Sequence, residues 1–480
     1  METTFLGFVA YLILVLGIGL IASRKNKTNE DWLLGGRSLN GYLLAFSERA
    51  SGESAWLLLG LPAAALSVGI GESWTAIGSI AGILISWFLV AEKLRSKATE
   101  CGALTLPEFL SNQFSDCRVI LLLGALVSIF FYTFYVSSGF AAAGTILSAT
   151  FGIEKSSGVI LGASVVLVYT ILGGFVAVVW TDLIQAIMMV ATLVILPIAA
   201  ISEMGGLSVF LERLTSLESA ELISITQGKL GLEGFLFVMA GLSWGFGYVG
   251  QPHLLTRFIA MPSAGDVRKG LKVAIGWVFP AFFGALLIGL IALVSFSPEQ
   301  LLTAGISGEG GNPDKLMPFF AKSFVPAWLA GILICGAIAA MMSTADTQLL
   351  VISSAVCQDI YHKVLRKSPA EKELLNISRL MTVVVCAVAF YLAYTSDEII
   401  FAMVSYAWGG LGSTFGPIVL LTLYWKGVNR NGIIAGLIFG SIGTILWKSI
   451  YLQAYVPERF SIFILNFLVI YLVSTLTTES

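Results

Sequence analysis

Apolar runs near twenty residues long follow one another along almost the whole chain, separated by short polar stretches. Thirteen are read as membrane-crossing helices, at about 5–23, 41–70, 73–92, 119–148, 157–176, 178–202, 234–252, 273–297, 325–357, 375–395, 398–424, 432–451 and 459–476. Each is long enough to cross a hydrocarbon layer of ~30 Å. Two longer polar stretches, about 203–233 and 298–324, are expected to carry short helices, with Pro298-Glu-Gln-Leu-Leu as a helical turn and Gly308-Glu-Gly-Gly-Asn-Pro as an ordered cap. The pattern predicts an all-α polytopic membrane protein in one transmembrane domain spanning residues 1–480.

Two of these runs are interrupted. The second holds Phe46-Ser-Glu-Arg-Ala-Ser-Gly-Glu-Ser-Ala-Trp56, so Glu48, Arg49 and Glu53 fall inside an apolar span. A charge at membrane depth costs from ~2.5 kcal/mol upward and persists only against protein, water or an ion. The seventh run holds Leu242-Ser-Trp-Gly-Phe-Gly-Tyr-Val-Gly-Gln-Pro-His253, in which glycine frees the backbone and proline removes a donor. The two breaks lie five spans apart, the offset expected of an inverted repeat with halves at 41–202 and 234–424. An additional helix at 5–23 would precede the repeat and two helices at 432–476 would follow it. Paired interruptions at matching positions point to a binding site near the membrane midplane; the bland alternative is that the glycines only allow close helix packing.

The ninth run adds Ala339-Ala-Met-Met-Ser-Thr-Ala-Asp-Thr-Gln348. Ser343, Thr344 and Thr347 share a helical face, and Asp346 lies within a turn of Ser343. Hydroxyls meeting the freed carbonyls of a broken helix would suit a hard cation such as Na⁺; alternatively, the hydroxyls bond back to their own helix. Asp182, in Gly173-Gly-Phe-Val-Ala-Val-Val-Trp-Thr-Asp182, opens another apolar run. It reads either as a helix cap with Thr181 or as part of an ion site.

Composition sharpens the class. The 480 residues are 57% hydrophobic and 12% charged, about half the charge of a soluble domain. The first apolar run has no basic leader and no small-residue cleavage site, so it reads as a retained span. Nineteen loop lysines and arginines fall on one side of the predicted topology and seven on the other. The positive-inside rule then puts the N-terminus outside and the C-terminus in the cytoplasm of a plasma (inner) membrane protein. Five unpatterned cysteines and two histidines give no metal or disulfide framework. A net charge of -2 gives no sign of nucleic acid, and the chain lacks a phosphate-binding glycine loop. Transport work would have to come from a gradient. Because the sequence stops at Ser480, a fused signalling module is not expected, nor is an obligate protein partner.

Several stretches resemble the sodium/solute symporter family, and within it the sodium/proline symporters. They include Leu34-Gly-Gly-Arg-Ser-Leu39, Trp56-Leu-Leu-Leu-Gly-Leu-Pro62, Gly71-Glu-Ser-Trp-Thr-Ala-Ile-Gly78, Thr105-Leu-Pro, Gly173 to Gln185, Trp244 to His253, and Met342-Ser-Thr with Gln348-Leu-Leu-Val. The resemblance covers nearly the whole chain. It implies a leucine-transporter type fold and sodium-coupled uptake of proline or a similar small amino acid by alternating access. Carried over by position, the sodium site would use carbonyls of Ala50, Glu53 and Ala340 with the hydroxyls of Ser343 and Thr344. Asp182, with Asp346 and Thr347, would belong to an ion path or second sodium site. The substrate pocket would involve Ser54, Ala55, Trp56, Tyr135, Trp244, Tyr248 and Pro252.

One departure matters. Proline symporters carry an aspartate where this chain has Gly52. Either Glu53, Asp346 or both supply the missing negative charge, or Arg49 and Glu53 neutralise each other at i, i+4. A third reading has Arg49 receive a substrate carboxylate. The rival functions are the same machine with another solute (a different amino acid, pantothenate, choline or a sugar) and, from another class, a channel or a transporter-derived sensor. The lack of a nucleophile, acid and metal set at the breaks argues against an enzyme.

Overall fold

The computed structural model describes residues 2–23, 29–115, 117–365, 369–396 and 398–477. The charge assignments that involve Arg24, Lys25, Lys27, Arg366 and Lys367, and the terminal Ser480, lie outside the described residues. The described chain is built from helices joined by short connections, with no strand among the described residues.

In chain order these are α1 (Glu2–Ser23), α2 (Asn29–Leu34), α3 (Gly41–Gly52), α4 (Leu61–Val68), α5 (Ser73–Ile85), α6 (Glu92–Glu100), α7 (Leu106–Asn112), α8 (Arg118–Phe151), α9 (Lys155–Glu203) and α10 (Leu207–Thr215). Then follow α11 (Gly231–Leu242), α12 (Trp244–Gly247), α13 (Pro252–Ile259), α14 (Ala264–Ser295), α15 (Pro298–Thr303) and α16 (Leu316–Phe324). The last are α17 (Ala327–Ser354), α18 (Glu371–Thr395), α19 (Ile400–Tyr424), α20 (Arg430–Ser449) and α21 (Glu458–Leu476). Wider π-helical turns extend three of the spans, at Trp56–Gly60, Ser86–Ala91 and Ala355–Leu365. Such turns are frequent at functional positions.

The predicted runs map onto these elements with shifted ends. The runs at 157–176 and 178–202 join into α9 across Gly174, whose φ of +57° and ψ of -161° interrupt the helix. Only glycine takes that conformation readily. The loop helices expected from sequence are present as α10, α15 and α16, and α15 starts with a capping box between Ser297 and Gln300. Among the described residues nine helices are long and apolar enough to cross a membrane, and Gly7–Ile18 and Lys155–Val168 are shorter apolar stretches. One of the nine, Trp56–Glu100, runs through two of the predicted spans, so thirteen crossings remains an expectation.

Helix α17 is the hub. It packs on α1, α3, α8, α9 and α18, and 78% of its most apolar window is buried, against 28% for the peripheral α21. Behind it, α1 contributes Tyr11, whose hydroxyl accepts from Gln185 Nε2 at 2.9 Å and donates to Met342 Sδ at 3.7 Å. Small residues allow the closest approaches. A Cβ on Gly82 of α5 would lie 2.1 Å from the Gly245 carbonyl oxygen of α12, and one on Gly78 would lie 2.5 Å from Leu242.

Candidate functional site between the broken helices

Helix α3 ends at Gly52, and Glu53, at φ -102° and ψ 2°, is its cap. The last turn of α3 faces α17. There Ser343 Oγ donates to the Ala50 carbonyl at 3.0 Å and to its own Ala340 carbonyl at 3.0 Å. Thr344 Oγ1 donates to the Ser51 carbonyl at 3.0 Å and to Ala340 O at 3.2 Å. Both sequence readings of these hydroxyls therefore hold at once: they bond back to α17 and also reach the broken helix. Each hydroxyl has one proton for two acceptors. Three carbonyl and two hydroxyl oxygens share two hydroxyl protons in a buried cluster, with His253 Nε2 also donating to the Ser51 carbonyl at 3.2 Å, and this oxygen-rich set fits a hard monovalent cation. Ala50, Ala340, Ser343 and Thr344 are brought together as predicted, and Ser51 joins them. The Glu53 carbonyl instead accepts from Leu57 N at 3.3 Å, restarting the helix beyond the break.

The three charges of the break form one buried group. Arg49 Nε donates to Glu48 Oε2 at 2.5 Å, its Nη2 pairs with Glu48 Oε1, and its Nη1 donates to Glu53 Oε1 at 2.7 Å. Trp87 Nε1 adds a bond to Glu48 Oε2 at 3.2 Å, and Tyr248 OH donates to Glu53 Oε2 at 2.8 Å. The expected i, i+4 pair exists, yet the same guanidinium also grips Glu48, so two acidic side chains share one basic partner. All three kinds of guanidinium nitrogen are engaged by these acids, which leaves Arg49 poorly placed to receive a substrate carboxylate.

A second buried group surrounds Asp182. Its Oδ2 accepts from Ser47 Oγ at 2.6 Å, Ser51 Oγ at 3.2 Å and Arg257 Nη2 at 3.3 Å. Arg257 Nη2 also donates to Thr347 Oγ1 at 2.6 Å, and its Nε donates to Ser47 Oγ at 3.1 Å. The cation facing Asp182 and Thr347 is thus an arginine of the chain itself. The helix-cap reading of Asp182 is corrected: the preceding break is at Gly174, Asp182 lies well inside α9, and Thr181 Oγ1 bonds back to Ala177 O and Val178 O. Asp346 is fully buried within electrostatic reach of Tyr11 and Arg257.

Sequence reasoning missed Arg257 by counting it as a loop residue. After the second break the chain does not pass into a loop at Pro252 but turns into α13, which buries Arg257. His253, on the same helical face, links Ser51 O at 3.2 Å to Tyr132 OH at 2.9 Å. The i, i+4 spacing of His253 and Arg257 beside a predicted break was the available signal. Arg459 was likewise counted as a loop residue; it is half-buried, with its guanidinium carbon 4.5 Å from the Trp244 ring centre.

Aromatic residues close the space between the breaks. Trp56 and Trp244 stack with ring centres 4.5 Å apart, and Phe401 lies 4.9 Å from Trp244. Trp408 meets Tyr248 edge-on at 4.7 Å, and its Nε1 donates to Trp244 O at 3.0 Å. Tyr135 OH donates to Ser54 Oγ at 3.4 Å, and Ala55 is buried beside it in the chain. The Trp56 indole N–H has no hydrogen-bond partner among the described residues. Six of the seven predicted pocket residues thus gather at this place. Phe401 and Trp408 join from α19, where no polar or glycine-rich signal beyond Trp408-Gly-Gly set them apart. Pro252 does not share it: it lines a narrow cavity of about 30 Å³ with Arg257, Thr347, Ser354, Thr105 and Asp359. Within that lining Thr105 Oγ1 donates to Asp359 Oδ1 at 2.7 Å, and Lys363, four residues after Asp359, lies 3.0 Å from Glu108.

Comparisons with known proteins bear on the family and the fold. The profile of the sodium:solute symporter family matches residues 32–440. The chain is 38% identical over 443 residues to the sodium/proline symporter of Salmonella typhimurium strain LT2, covering 92% of this chain and 87% of that protein. It is 34% identical over 465 residues to the high-affinity proline transporter PutP of Bacillus subtilis strain 168, covering 96% of each. Among solved structures it is similar to a Na⁺-coupled sialic acid symporter in a substrate-bound outward-open state (TM-score 0.79, 20% identity, 99% of this chain and 97% of that one). It is also similar to MhsT in complex with L-phenylalanine (TM-score 0.56, 14% identity, 90% and 98%). These likenesses establish a leucine-transporter type helical fold. With its paired broken helices and a family match across most of its length, the chain belongs to the sodium:solute symporter family.

Proposed function

We propose that this transporter takes up proline, or a similar small amino acid, together with Na⁺ by alternating access. The observation that carries the reading is the oxygen cluster of Ala50, Ser51, Ala340, Ser343 and Thr344, set between the two halves of a broken helix and the hub helix α17. Identity of 38% to a sodium/proline symporter supports proline as the substrate.

In this reading Na⁺ enters the cluster, and the Ser343 and Thr344 hydroxyls turn their protons away and present oxygen. The surplus carboxylate of the Glu48–Arg49–Glu53 group takes the electrostatic role of the aspartate replaced by Gly52. The substrate ring lies among Trp56, Tyr135, Trp244, Tyr248 and Trp408. Ser54, the backbone at Ala55 and the free indole N–H of Trp56 give its polar end partners. Asp182, Asp346 and Thr347 stand along the ion's way beside Arg257, and the cavity from Thr347 to Asp359 is its exit. Pro252 then acts on the exit side rather than in the pocket. The spacing of the breaks supports repeat halves at 41–202 and 234–424, and the basic-residue asymmetry supports an outside N-terminus and a cytoplasmic C-terminus.

One Na⁺ moved through 100 mV gives ~2.3 kcal/mol, and a tenfold gradient adds ~1.4 kcal/mol. Together these sustain roughly 500-fold accumulation per ion, so a single coupled ion suffices. Proteoliposomes holding the full chain should concentrate labelled proline only under an inward Na⁺ gradient, and should lose it when K⁺ replaces Na⁺. Equal uptake without Na⁺ would remove the coupling. Displacement of nothing by proline, but of labelled substrate by another solute, would reassign the substrate.

A further inference from the structure

The charged group at the first break forms part of a longer row. Trp87 donates to Glu48, Glu48 grips Arg49, Arg49 reaches Glu53, and Glu53 Oε2 accepts from Tyr248 OH at 2.8 Å. All five side chains are buried. The row starts on the π-helical turn at Ser86–Ala91, passes through residues on both sides of the first break, and ends on the second broken helix. Ala50 and Ser51, whose carbonyls face Ser343 and Thr344, lie between Arg49 and Glu53 in the chain. A cation drawing on those carbonyls therefore acts on the backbone that carries both ends of the Arg49–Glu53 pair.

At the other end, Tyr248 sits four residues after Trp244, which stacks on Trp56, and its ring meets Trp408. A hydrogen bond to a carboxylate is short, strong and directional, and in a dry interior it is either made or lost. It thus has the two-state character that coupling between sites requires.

We propose that the Glu53–Tyr248 hydrogen bond transmits cation occupancy at the first break to the substrate pocket at the second, so that Tyr248, besides lining the pocket, links it through Glu53 to the ion site. The proposal rests on the sodium reading above. A competing route exists: His253 Nε2 also touches the first break, at Ser51 O, from α13, which follows the second break.

The test is hydrogen–deuterium exchange of the full-length protein in nanodiscs, in NaCl against KCl, together with binding of labelled proline in both salts. In the wild type, NaCl slows exchange in residues 50–55 and in residues 244–252. In Tyr248→Phe the first segment is still protected and the second is not, and the Na⁺-dependent gain in proline affinity shrinks by about tenfold. Glu53→Gln, which weakens both the acceptor for Tyr248 and the charge beside the ion, serves if Tyr248→Phe does not fold: protection falls in both segments and the Na⁺-dependent gain in proline affinity shrinks with it. Protection of both segments and an unchanged gain in these variants would overturn the proposal and favour the His253 route. No Na⁺-specific protection of residues 50–55 in the wild type would overturn the sodium reading, and this inference with it.

Discussion

The hydroxyl of Ser343 donates to the carbonyl of Ala50 at 3.0 Å across 293 residues of sequence. Its neighbour Thr344 makes the parallel bond to Ser51. The two hydroxyls clasp the end of α3 to α17, and they are also the groups an ion would recruit.

Removing either hydroxyl should weaken Na⁺ binding before it weakens the fold. A polar contact to a charged partner is worth ~1.5–3 kcal/mol. Ser343→Ala and Thr344→Ala should each raise the Na⁺ concentration for half-maximal uptake by about tenfold or more. Proline affinity at saturating Na⁺ should change far less. Uptake titrated with Na⁺ measures both, and an unchanged half-maximal concentration would place the ion elsewhere.

Arg49 holds two buried carboxylates apart. Deleting one partner of a buried ion pair costs ~3–5 kcal/mol, because the remaining charge is left unpaired. Arg49→Met should therefore lower the unfolding temperature markedly. Combining it with Glu48→Gln and Glu53→Gln should restore most of the loss while leaving Na⁺ dependence impaired. Thermal unfolding of the purified variants reads the first effect and uptake the second.

Asp314, in the connection before α16, accepts from Ile400 N at 3.0 Å, and burial lifts its carboxyl to about 6. The folded-state value lies above the unfolded one, so the folded protein holds the proton more tightly. Stability from this group is greatest below about pH 4, declines as pH rises to about 6, and is level above that. Asp314→Asn keeps an acceptor for Ile400 and escapes the decline. Its advantage over the wild type should grow by on the order of 2 kcal/mol between about pH 4 and about pH 7. Unfolding temperatures across that range test this; a constant difference would contradict it.

Gly247 has no room for a side chain, since a Cβ there would lie 1.9 Å from Trp408 Nε1. Overpacking of this kind costs ~1–3 kcal/mol. Gly247→Ala should abolish transport by forcing Trp408 off Tyr248. Adding Trp408→Phe should give a combined stability loss smaller than the sum of the two, because the second change frees the space the first one needs. Unfolding temperatures of the three variants decide the point.

The breaks were legible because glycine, proline and charge inside apolar runs have few structural uses at membrane depth. The hydroxyl face of α17 was legible from its spacing alone. Arg257 was not: basic residues near a span end usually mark loops, and only the continuation of the chain into α13 turns this one inward. Trp408 and Phe401 were hidden for a different reason. Aromatic residues in a membrane helix look alike in sequence whether they face lipid or a partner ring. The exchange of Gly52 for the expected aspartate was visible, but its consequence needed the geometry, since Glu48 and Glu53 could have pointed anywhere.

Gly78 and Gly82 set bare backbone of the third predicted span against the second broken helix at Leu242 and Gly245. Interlocked side chains must climb over one another before two helices can shift; smooth surfaces need not. The seam is a plain bearing face: no side chain at Gly78, Gly82 or Gly245 keys the second broken helix to its support. The glycine at 245 that interrupts the span is also the one that lets it lie flat there.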